Sequence, residues 1–112
     1  MKWFTFINFG IQPAKGLLMT FNLSEHPSIA NQFIAEIRDV QVQQDSMRFR
    51  RNLERIGEVI AYEISKTLTY IDKEVETPLG LANISVPQND IVLATILRAG
   101  LPLHQGFLNY FD

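Results

Sequence analysis

The residues best placed to do chemistry are Arg98, Ala99 and Gly100. A mostly apolar run, Ile91-Val92-Leu93-Ala94-Thr95-Ile96-Leu97, leads into them. Leu101-Pro102-Leu103-His104-Gln105-Gly106-Phe107-Leu108 follows. The apolar run reads as a buried parallel strand. Gly100 permits a tight backbone turn where other residues would clash. Pro102 suits the first turn of a helix, where its missing N–H costs little. Open parallel sheets bind ligands at the carboxyl ends of their strands. A helix N-terminus there presents free N–H groups and partial positive charge. Arg98 adds a full charge on a planar fork of donors. The chemistry expected of this stretch is the binding of an anion, a phosphate or a pyrophosphate.

Such a loop needs elements to hold it, and the rest of the chain has their pattern. His26-Pro27-Ser28 leads into a helix, with Ile29, Phe33, Ile34 and Ile37 at helical spacing through about Arg38. Val40 to Gln44 reads as a polar connector. Asp45 and Ser46 are good N-cap residues for a second helix. Phe49, Leu53, Ile56, Ile60 and Ile64 form its apolar stripe and predict a helix to about Thr67. The other face holds Arg50, Arg51, Glu54, Arg55 and Glu58, with Arg50–Glu54 and Arg51–Glu54 at ion-pair spacing.

Leu68 to Glu76 and Leu81 to Val86 predict strands around the turn Thr77-Pro78-Leu79-Gly80. That hairpin is too short to be stable alone in water. Pro87-Gln88-Asn89-Asp90 is a turn before the buried strand. The expected order is helix, helix, hairpin, strand, helix, an α/β arrangement. A single parallel strand needs neighbours, so this half-sheet is expected to expose apolar edges and to oligomerise, rearrange or aggregate.

Composition narrows the class. The 112 residues suffice for one small domain. A hydrophobic fraction of 46% and a charged fraction of 20% suit a globular chain. A net charge of −2 and a pI near 5.6 argue against a nucleic-acid partner held by a broad basic surface. Zero cysteines exclude a disulfide framework and a thiolate metal site, and are compatible with a cytoplasmic protein. Residues 91–111 are weakly charged, but Arg98 near their middle argues against a membrane span. No metal constellation, nucleophile arrangement, Walker loop or dinucleotide fingerprint stands out.

Ile96-Leu97-Arg98-Ala99-Gly100-Leu101-Pro102, followed by Gly106, resembles the pyrophosphate loop of uracil phosphoribosyltransferases. Upstream, Arg48-Phe49-Arg50, Ile56-Gly57 and Tyr62-Glu63 come in the order that family uses. Thr77-Pro78-Leu79-Gly80 falls at a family turn, and Asn22-Leu23-Ser24-Glu25-His26-Pro27 looks like its N-terminal His-Pro segment. The resemblance covers about residues 20 to 112. It implies the N-terminal part of a phosphoribosyltransferase-type parallel sheet, with flanking helices and a β-hairpin arm. The implied reaction joins uracil to phosphoribosyl pyrophosphate, giving uridine monophosphate and pyrophosphate. Arg98 would neutralise the pyrophosphate, and Ala99 and Gly100 would offer backbone N–H groups. Magnesium would arrive with that substrate. A homodimer or higher oligomer, using the hairpin as an arm, and a guanosine triphosphate effector are also implied, as is a cytoplasmic location.

The resemblance has limits. Family members carry a downstream Asp-Pro-Met-Leu-Ala-Thr-Gly loop for the ribose 5-phosphate and a segment that reads uracil. Neither occurs in these residues. Residues 19–112 are therefore expected to be the N-terminal half of one phosphoribosyltransferase domain, and inactive alone. Truncation of the gene product, proteolysis or expression of a fragment would each give this. Residues 1–18 are expected to be a non-native or misassigned extension, with Met19 as the natural start. A signal peptide is disfavoured because Asn8 and Gly10 break the apolar run and no small-x-small cleavage site appears.

Two other classes stand beside this reading: a non-catalytic interaction half-domain, and a phosphoribosyl-binding regulator. Other residues receive structural roles. His104 is expected on a helix surface or interface, and His26 to tether the chain through a hydrogen bond. Glu63 is expected in an ion pair or on a helix face, and Phe49 and Phe107 in the core. Arg48, Arg50 and Arg51 cluster at a helix start, where positive charge opposes the dipole. A solvated helix face is the expectation there, with an effector or subunit contact as the alternative.

Overall fold

The computed structural model describes residues 21–88 and 91–111. The expected extension over residues 1–18 lies outside them. Helix α1 spans Ile29–Arg38, α2 Ser46–Ser65 and α3 Leu101–Leu108; strands β1 (Tyr70–Thr77) and β2 (Gly80–Pro87) form an antiparallel hairpin. The expected mixed α/β character is present, with helix, helix, hairpin and helix in the expected order.

The starts of α1 and α2 follow from their caps. The Ser28 hydroxyl accepts from the Ala30 N–H at 3.3 Å, and the Asp45 carboxylate accepts from Met47 and Arg48 at 3.1 and 3.0 Å. Such caps satisfy amides that the first turn leaves unpaired. Asp45 also sets negative charge at the α2 start, offsetting the unfavourable arginine cluster. The connector is more ordered than its polarity suggests. Asp39 accepts from Gln41 and Val42 at 2.8 and 2.9 Å and starts a short 3₁₀ turn, Val42–Gln44. The Val42 and Gln41 N–H groups hold the Asp39 carboxyl below its usual range.

The core lies where α1 and α3 meet α2. Ala30 and Ile37 of α1, Ile56 and Ala61 of α2, and Phe107 of α3 are buried. Phe49, expected in the core, is only half-buried, as are Leu53, Ile60 and Ile64 along the same stripe. The described elements cover only part of that stripe.

The hairpin extends one residue further on each side than the pattern predicts, leaving Pro78-Leu79 as the turn between Thr77 and Gly80. Its N-terminal end starts at Tyr70 rather than Leu68. The Thr77 hydroxyl donates to the Gly80 carbonyl at 2.7 Å and accepts from the Leu79 N–H at 3.3 Å. Gly80 adopts φ of 128°, where a side chain would be strained.

One expected element differs. Ile91–Ile96 forms no strand, and Val92 and Ile96 are each 89% exposed. A strand is defined by its neighbours' hydrogen bonds. Among the described residues β1 and β2 pair only with each other, leaving the apolar run without a partner.

Candidate functional site

The arginine loop is built from the backbone outward. Residues Leu97 to Gly100 make a turn that runs directly into α3. The Leu97–Arg98 peptide bond is cis. The Gly100 N–H donates to the Ile96 carbonyl at 3.2 Å, and the Leu101 N–H to the Arg98 carbonyl at 3.2 Å. The His104 N–H donates to the Gly100 carbonyl at 2.9 Å, joining the turn to the helix. Pro102 sits in the first turn of α3, as expected.

Gly100 meets the expectation that other residues would clash in this turn, and departs from it in the use of its N–H. Its φ of −74° is open to any residue, so backbone freedom is not the requirement. Close approach is: a Cβ there would collide with the Thr95 hydroxyl and lie 2.8 Å from the Ile96 carbonyl oxygen. Its N–H is also engaged within the turn. Ala99 is exposed, and no described residue accepts its N–H. Arg98 is exposed, and no described carboxylate pairs with it. The arrangement is an open cationic turn at a helix start.

The platform beneath the loop is α2. A Cβ at Gly57 would lie 2.5 Å from the Leu103 carbonyl oxygen and 3.2 Å from Gly106 Cα. A Cβ at Gly106 would overlap the Glu54 carbonyl and lie 2.9 Å from both Glu58 N and Gly57 Cα. The two backbones touch, so no side chain fits between them. Asn109, just beyond α3, donates through Nδ2 to Glu54 Oε1 at 3.1 Å and Glu58 Oε1 at 2.7 Å. Arg51 reaches the other Glu54 oxygen at 2.8 Å. These bonds, Arg51's first and Asn109's next, hold the Glu54 carboxyl below its usual range.

A second polar network ties α2 to α1. Asn52 is fully buried and donates to Glu36 Oε2 at 2.7 Å, while Arg55 Nη1 donates to Asn52 Oδ1 at 3.1 Å. The Arg55 guanidinium lies 5.2 Å from the Phe33 ring centroid. The Asn52 bond is the chief cause lowering the Glu36 pKa, followed by the Gln32 bond. The sequence reading missed Asn52 and Asn109. Asn52 follows Arg51 on a face read as solvated, and Asn109 follows the last apolar residue of α3. Only pairing across 16 and 51–55 positions reveals either one.

Other residues fall as follows. Arg48 pairs with Glu36 at 3.5 Å and Arg51 with Glu54, but Arg50 does not pair with Glu54. Arg50 instead lines an open concavity with Val40, Gln43, Gln44, Ser46 and Phe49. Glu63 pairs with Lys66 at 2.8 Å, as expected for an ion-pair residue. His26 stacks face to face on Phe21, with ring centroids 4.9 Å apart, and the expected tethering hydrogen bond is not formed to any described residue. His104 is half-buried on α3.

Fold and loop together define a mixed α/β chain carrying an arginine turn at a helix start. The model of the family described as uracil phosphoribosyltransferase matches residues 23–112. The chain belongs to that family. A uracil phosphoribosyltransferase of Porphyromonas gingivalis is 64% identical over 89 residues, covering 80% of this chain and 41% of the relative. One of Thermococcus gammatolerans is 32% identical over 94 residues, covering 82% and 41%. One of Methanothermobacter thermautotrophicus is 45% identical over 69 residues, covering 60% and 32%. The chain thus spans well under half the length of these curated relatives. No described helix is long and apolar enough to cross a membrane.

Proposed function

We propose that this chain supplies the pyrophosphate-binding part of a uracil phosphoribosyltransferase. The whole enzyme would convert uracil and phosphoribosyl pyrophosphate to uridine monophosphate and pyrophosphate, in the cytoplasm. The carrying observation is the exposed Arg98 turn at the start of α3, which no described carboxylate pairs with, in a chain of this family. The reaction develops positive charge on the ribose and negative charge on the departing pyrophosphate. Catalysis is then mostly positioning and electrostatic stabilisation. Arg98 matches the need, because its planar fork can bond two oxygens at once. Ala99 adds its N–H, and Gly100 contributes by letting the turn close. Family membership favours this reading over an interaction half-domain or a phosphoribosyl-binding regulator.

Magnesium is proposed as a companion of the pyrophosphate. The described residues hold no group of three or more His, Asp or Glu side chains able to enclose the ion. No step is therefore assigned to an ion held by this segment. A homodimer built on the hairpin is also proposed. Ile71, Val75, Ala82, Ile84 and Val86 share one hairpin face by register, and Ile71 and Ile84 are 46% and 45% exposed. The concavity beside Arg50 is the candidate seat for a guanosine triphosphate effector.

In a full-length enzyme carrying this segment, Arg98→Ala is expected to weaken phosphoribosyl pyrophosphate binding or turnover sharply. Arg98→Lys keeps the charge but loses the fork, so partial function is expected. Steady-state kinetics with varied phosphoribosyl pyrophosphate checks both, and unchanged parameters for the alanine variant would refute the assignment.

A further inference from the structure

The Arg98 turn rests on α3, and two of the contacts by which α3 rests on α2 fix its position closely. One is the backbone crossing of Gly57 and Gly106. The other is the Asn109 amide shared between Glu54 and Glu58. We propose that Gly57, Gly106 and Asn109 are positioning residues that set where the Arg98 guanidinium stands. The proposal rests on the pyrophosphate reading above.

The geometry is that of a lever. The turn is bonded to α3 through Leu101 N–H to Arg98 O and His104 N–H to Gly100 O, so turn and helix move together. The pivot is rigid because backbone meets backbone, with no flexible side chain to absorb a shift. The crossing runs from Leu103 to Gly106. A short arm of three residues, about 4.5 Å at the helical rise, leads on one side to Gly100 and on the other to Asn109. A displacement at Asn109 is thereby carried to the turn.

The Asn109 clamp fixes its own arm strongly. Both of its donor hydrogens are used, on Glu54 Oε1 and Glu58 Oε1, and its Oδ1 accepts from Gln105 Nε2 at 3.2 Å. Both acceptors are carboxylates, and hydrogen bonds to charged acceptors are the stronger kind. Arg51 braces Glu54 from its other oxygen. Asp at position 109 has nearly the same shape but places a third carboxylate against two others. The Asn109 arm would be pushed off α2, and the turn would swing.

The test is calorimetric binding of inorganic pyrophosphate to a full-length enzyme carrying this segment, at a temperature where circular dichroism shows equal helicity in all variants. Asn109→Asp is expected to bind about ten-fold more weakly, since a misplacement near 1 Å can cost up to about a hundred-fold. Asn109→Asp with Glu58→Gln exchanges amide and carboxylate across the clamp and is expected to recover most of that loss. A merely structural role would lower the thermal midpoint of Asn109→Asp and leave the affinity of the folded enzyme unchanged. Wild-type-like affinity in Asn109→Asp, or no recovery in the double variant, would overturn the positioning role while leaving the pyrophosphate site intact. Absence of binding by the wild-type enzyme would instead refute the site, and the positioning role with it. Gly106→Ala is the second variant, expected to weaken binding wherever it remains folded.

Discussion

At the scale of single residues, buried polar groups matter more than the visible charges. Asn52 is fully buried with both ends of its amide bonded, to Glu36 and from Arg55. Asn52→Leu would keep the volume but leave Glu36 and Arg55 without that partner. The expected outcome is a lower urea midpoint at pH 7, since both partners lose a hydrogen bond. The same residue shapes the acid response. Glu36 and Glu54 have pKa values lowered on folding, by Asn52 and by Arg51 respectively as the chief causes. A lowered folded pKa means that the unfolded state binds protons first as pH falls. The stabilisation is therefore full above the ordinary glutamate pKa of about 4.3 and is lost as pH drops through the lowered folded values. Urea midpoints should fall between pH 6 and pH 3, as conditions approach and pass that window, and the Asn52→Leu series should fall less steeply. Parallel slopes for both chains would show that Asn52 does not set the Glu36 titration.

At the scale of elements, two glycines are needed for opposite reasons. Gly57 has ordinary helical backbone but no room, because α3 lies against it. Gly80 has open space for a Cβ but a φ of 128°. Gly57→Ala should destabilise the α2–α3 pair by about 1–3 kcal/mol, as overpacking does. Gly80→Ala should cost about 1–3 kcal/mol through backbone strain and act on the hairpin alone. Amide hydrogen exchange separates them: Gly57→Ala should speed exchange in α3, and Gly80→Ala only in β1 and β2. Exchange rising evenly through the molecule for both would contradict this division.

At the scale of the whole molecule, unpartnered apolar surface governs behaviour. The hairpin face around Ile71 and Ile84 and the run holding Val92, Ile96 and Leu97 are exposed together. Large exposed apolar patches mark interaction surfaces or aggregation hazards. The chain is expected to show a concentration-dependent mass by analytical ultracentrifugation, and Ile84→Asp to shift it toward the monomer. An unchanged mass distribution would exclude the hairpin as the contact. The purified 112-residue chain is expected to form no uridine monophosphate, since one anion contact does not replace a 5-phosphate cradle and a base pocket. Product formation by a sequence-verified sample would refute that.

Local chemistry explains how much was legible in advance. Caps at Ser28 and Asp45, the apolar stripes of α1 and α2, Pro102 at the start of α3 and the Thr77–Gly80 turn act over a few residues. Sequence therefore predicted those elements to within a few residues, and it marked the arginine turn. What required tertiary structure was whatever depends on a distant neighbour. Ile91–Ile96 has strand character by composition, but strand identity depends on a second segment to bond. Gly57 and Gly106 read only as motif positions, yet their requirement is contact distance to atoms elsewhere in the fold. Asn52 and Asn109 carry no local signal, because an amide becomes a clamp only when folding brings carboxylates of another helix, or of another part of the chain, within bonding reach.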